Sequence, residues 1–131
     1  MMHAALVALA LSAAPLPRPA ADSVRSDREI RETVLRNAAD IRRCYELHGL
    51  RRDPELAGAI EIALTVLPTG AVDSVEVEHV ALHGDGTREV MACIVAAARH
   101  WRFERGPFET ETIVLPFKLR PDEPFRVTRA S

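Results

Sequence analysis

Lysine is almost missing from this chain of 131 residues: Lys118 stands alone beside sixteen arginines, and those arginines are interleaved with 19 acidic residues. The formal net charge of −2 leaves no basic field of the kind that draws nucleic acid to a surface. Aromatic residues make up only 5% of the chain, too few for the stacking platforms that hold single strands. The longest apolar run, Ala4 to Ala14, falls well short of the roughly 20 residues a membrane-spanning helix needs. Catalytic signatures are absent as well. There is no HExxH pair, no phosphate-cradling glycine loop and no nucleophile in a recognisable setting, so nothing in the chain points to an enzyme or calls for a cofactor.

What is present begins with that apolar run. Small and aliphatic residues followed by small-residue cleavage candidates near Ala14 and Ala21 read as a secretory signal over residues 1–21, which implies a periplasmic or secreted protein. The alternative is an N-terminus that is retained as a tether. Residues 22–27 read as a linker and residues 28–120 as one domain. Residues 121–131, with two prolines, read as a flexible tail.

Within the domain, Ser26 or Asp27 caps a helix whose apolar positions Ile30, Val34, Ala38, Ile41, Tyr45 and His48 follow steps of three and four, with Gly49 as its stop. "AIEIALTV" alternates in the manner of a half-buried strand, turns at Gly70, and returns through "VDSVEVEHV". Val72 is out of phase with Val75 and Val77, which a bulge or an early strand start reconciles. A second helix, capped by Thr87 or Asp85, buries Val90, Ile94, Ala97 and Trp101. The last strand, "ETIVLPFKL", turns Ile113, Leu115, Phe117 and Leu119 inward. The predicted fold is therefore α+β, in the order α-β-β-α-β, with two helices covering one face of a three-stranded antiparallel sheet.

Two cysteines lie on the packed sides of the two helices, Cys44 on the first and Cys93 on the second. Outside the cytosol a disulfide between them is the favoured reading. Two buried thiols remain an alternative. So does a Cys₂His₂ metal set with His48 and His100, although the spacing lacks a knuckle and the sequence does not otherwise ask for a metal. His79 and His83, near Asp85, and the acids Asp53, Glu55, Glu61, Asp73, Glu76 and Glu78 read as solvated surface.

The ordered pieces "CYE" at Cys44, "PELAG" at residues 54–58, "TGAV" at 69–72, Cys93 followed by Trp101 and Phe103, and "LPFKL" at 115–119 together resemble the TonB C-terminal domain superfamily. Its AgmX/PglI C-terminal branch is the most similar. The resemblance covers residues 28–120. It implies a periplasmic protein-binding module, accessory to envelope transport or motility machinery, that accepts a partner peptide as an extra strand on its last strand. Thr112, Val114, Pro116 and Lys118 would line that edge. A competing reading has Pro116 and Lys118 blunting the edge against aggregation. The alternative function is a structural or oligomerising component of an envelope assembly, dimerising through the same edge.

Overall fold

The computed structural model describes residues 24–122, so the leader at 1–21 and most of the expected tail lie outside the described residues. Three helices, one π-helical turn and three strands follow one another: α1 (Asp27–Arg36), α2 (Ala38–Tyr45), the π turn (Glu46–Leu50), β1 (Gly58–Val66), β2 (Val72–Leu82), α3 (Thr87–Ala98) and β3 (Glu111–Leu119). The strands form one antiparallel sheet in the order β2-β1-β3, which is the predicted fold class.

The first helix is not continuous, as the apolar period had suggested. It breaks at Asn37, whose backbone sits at φ −107°, ψ 5°. The cause is local. The Thr33 hydroxyl donates to the Glu29 carbonyl at 3.0 Å, and the Asn37 amide donates to the Thr33 carbonyl at 2.8 Å. Such side-chain bonds compete with the i→i−4 ladder and end it. Nor does Gly49 stop the helix by leaving it: it is buried inside the π turn, where a Cβ would press on Leu56 and Val90. At the N-terminus the reading was sound, since Ser26 and Glu29 form a reciprocal capping box.

β1 buries Ile60, Ile62, Leu64 and Val66 beneath the helices, and β3 buries Ile113, Leu115, Phe117 and Leu119 beside them. Of the two explanations for the phase of Val72, a bulge or an early strand start, the bulge is found. Thr65 pairs with Ser74 and Val66 with Val72, so Asp73 is the extra residue and Val72 regains the face of Val66. A second shift, with Glu61 on His79 and Ile62 on Val77, leaves Glu78 unpaired and returns Val80 to the side of Ile60.

α3 corrects two expectations. Its cap is Gly86 at φ +88°, not Thr87 or Asp85, because the His48 carbonyl of the π turn passes where a Cβ would stand. The Thr87 hydroxyl instead donates to the Leu82 and Gly84 carbonyls. The buried stripe runs Val90, Met91, Ile94 and Ala98, with Ala97 only half-buried. In its first turn, a backbone hydrogen bond holds the Glu89 carboxyl below its usual range, helped by nearby Arg52 at 3.2 Å and opposed by partial desolvation.

Candidate functional site: the open edge of the sheet

β1 lies in the middle, so β2 and β3 are both edge strands, and they differ. β2 meets β1 through two register shifts, and its residues Asp73, Glu76 and Glu78 are exposed acids. β3 pairs with β1 over nine residues without a shift, from Gly58 opposite Leu119 to Val66 opposite Glu111. Bulges and charge are the usual means of discouraging edge pairing, and β2 has both. β3 has one exposed charge, Lys118, and one proline.

The four residues singled out from the sequence share the face of β3 turned away from the helices. Thr112 and Lys118 are exposed, while Val114 and Pro116 are half-buried beside Ala63 and Glu61 of β1. An unbroken register through Pro116 requires its nitrogen, which has no hydrogen to give, to point away from β1. By alternation the backbone groups of Thr112, Val114 and Lys118 then point the same way, away from β1, where no strand among the described residues pairs with them.

Both ends of β3 are fastened to the helical rod formed by α1 and α2. At its start, the Arg25 guanidinium donates to Glu111 Oε1 at 3.1 Å, to the Leu67 carbonyl at 3.0 Å and to the Glu104 carbonyl at 2.9 Å. It also lies over the Phe108 ring at 4.6 Å. Arg25 is 1% exposed, although it falls in the segment read as a linker. Sequence reasoning missed it, and no local pattern could have found it, because every partner lies at least 42 residues away. At the far end, Arg42 donates to the carbonyls of Arg120 and Pro121, at 3.1 and 3.2 Å. The rod therefore runs along β3, and this explains how an edge strand has an inner face that is wholly buried.

The rod is tied to α3 by the Cys44–Cys93 disulfide, with Cα atoms 5.6 Å apart. Both helices thus lie on one side of the sheet, and the free-thiol and Cys₂His₂ alternatives lose their thiols. His48 and His100 are half-buried and exposed, respectively. A second tie runs from Trp101 Nε1 to Asp40 at 3.3 Å. A bridge of this kind fits an oxidising compartment. Among the described residues no helix is long and apolar enough to cross a membrane.

No family model matches the chain, and no curated protein matches it. Among solved structures it is similar to the NMR solution structure of the TonB C-terminal domain of Helicobacter pylori, with a TM-score of 0.48 and 16% sequence identity, over 71% of this chain and 84% of that one. The likeness is modest, and the fold described above rests on strand order and register themselves.

Proposed function

We propose that this chain is an exported, periplasmic protein-binding module of the TonB C-terminal kind, near the AgmX/PglI branch, that docks an extended partner segment on β3. The observation that carries the reading is the contrast between the two edges: β2 is bulged twice and lined with acids, whereas β3 is straight and regular. An added strand would gain main-chain hydrogen bonds from Thr112, Val114 and Lys118, and side-chain contact with the half-buried pair Val114 and Pro116. The reading involves no catalytic step, cofactor, metal or nucleic acid. The second reading, a structural component that self-associates through the same edge, draws on the same geometry.

Two substitutions test both readings. Val114→Pro removes an outward donor while leaving the ladder to β1 intact, and Pro116→Ala restores one. With partners captured from envelope extract, and with sedimentation of the purified protein, docking predicts that Val114→Pro loses a heterologous partner and that Pro116→Ala holds it several-fold more tightly. Loss of self-association alone favours the assembly reading. Unchanged behaviour of both variants in both assays sinks the edge as a binding site.

A further inference from the structure

β1 pairs along one edge of β3, and no strand among the described residues pairs along the other. The chain leaves β3 through Arg120 into a turn at Pro121 and Asp122. Arg42 fixes that exit by donating to the carbonyls of Arg120 and Pro121, at 3.1 and 3.2 Å. Proline suits the first central position of a type I turn, because its fixed φ is the one that position needs. A turn here reverses the chain. An antiparallel return from β3 has only the open edge to run along, because β1 holds the other.

Residues 123–131 read Glu-Pro-Phe-Arg-Val-Thr-Arg-Ala-Ser, in which Phe125, Val127 and Thr128 favour extended backbone. A return on Pro121 and Asp122 puts Glu123 opposite Arg120, Phe125 opposite Lys118, Val127 opposite Pro116 and Arg129 opposite Val114. The even-numbered residues of β3 carry its outward backbone groups, so the odd-numbered residues of the returning segment would face them. Both prolines are then tolerated. Pro124 falls opposite Leu119, whose backbone serves Gly58 of β1, so the Pro124 nitrogen points away from the ladder. Pro116 still offers its carbonyl to the Val127 N–H. A register shifted by one residue would aim Pro124 at β3, where it has no hydrogen to give. The side chains agree with this register. Val127 would lie beside Pro116 and diagonal to Val114, both half-buried, and Phe125 would cover the stem of exposed Lys118.

We infer that residues 123–129 occupy the β3 edge of their own chain as a fourth strand, which an incoming segment must displace. A tethered segment meets its site at an effective concentration on the order of millimolar. The tail therefore holds back weak strands and yields to tight ones. The contact itself needs no partner, while its consequence for docking rests on the reading proposed above.

Hydrogen exchange at single amides of the full chain tests it. In this register Val114 and Lys118 donate to the carbonyls of Arg129 and Phe125. Both amides should exchange about tenfold more slowly in the wild type than in Val127→Pro, which removes a donor aimed at β3. Thr128→Pro removes one aimed at solvent and should leave the protection in place. Slow exchange in β1 confirms that each variant is folded. A synthetic peptide of residues 123–131 should bind Val127→Pro and be excluded from the wild type. Equal exchange of the two amides in wild type and Val127→Pro overturns the inference. So does an equal loss of protection in both proline variants, or a peptide that binds wild type and Val127→Pro alike. Protection that fades on dilution belongs to a second copy and overturns it too. A loss confined to Val127→Pro, with no partner captured from envelope extract by either chain, upholds the contact and removes only the docking reading.

Discussion

Arg25 is a heavily used side chain among the described residues. Its guanidinium makes four hydrogen bonds, to one carboxylate and two carbonyls, and lies near the Phe103 and Phe108 rings. Its removal leaves the almost buried Glu111 carboxylate with the Arg25 backbone N–H alone, takes one of two donors from the Leu67 carbonyl, and leaves the Glu104 carbonyl without its guanidinium. Arg25→Met should therefore cost about 3 kcal/mol, toward the low end for breaking a buried pair, read as a drop in urea midpoint at unchanged slope. Tyr45 is a second such residue. Its ring is fully buried and its hydroxyl donates to the Leu56 carbonyl, which pins the loop before β1. Desolvation raises the pKa of this hydroxyl, Asp122 and Asp53 add to the rise, and Arg42 opposes it. The unfolded chain then releases this proton before the folded chain does, so stability is fully present below about pH 10 and declines as the pH climbs further. Tyr45→Phe should cost about 1 kcal/mol at neutral pH and remove this part of the alkaline decline. An unaltered alkaline profile in the variant would show that other groups set it.

At the scale of elements, much was legible. Alternation in β1 and β3 marked their buried faces correctly, because a strand with one covered face has a strict period of two. The phase error at Val72 left a bulge or an early strand start, and the register decides for the bulge. The break at Asn37 was less visible. Apolar spacing carries on across it, and the signal lay in two polar residues, Thr33 and Asn37, whose competing hydrogen bonds are known only once the backbone is placed. The π turn was hidden for a similar reason. Gly49 looks like a terminator in the sequence, but its small size serves a close approach to Leu56 and Val90. The edge residues Thr112 to Lys118 could be named from Pro116 and strand order. The two fastenings that hold β3 in place could not, since both join segments far apart in the chain.

On the scale of the whole molecule, the bridge between α2 and α3 dominates. It closes a loop across a separation of 49 residues, for which the chain-entropy account gives about 4 kcal/mol, a large share of what a domain of this size retains. The double variant Cys44→Ala, Cys93→Ala should lose about that much in equilibrium unfolding and should unfold at the same midpoint as the reduced wild type. A double variant as stable as the oxidised protein would show that packing around Trp101 and Asp40 already joins the helices.

The ring sealed by Cys44 and Cys93 contains β1 and β2 but not β3. As a chain emerges from its N-terminus, everything within the ring is present while one flank of β1 still stands vacant. Whichever third strand arrives first can fill that flank, from the same molecule or from a neighbour. Folding of this protein at high concentration would thus carry its own hazard: two molecules trading their final strands, each sealed correctly at its own cysteines.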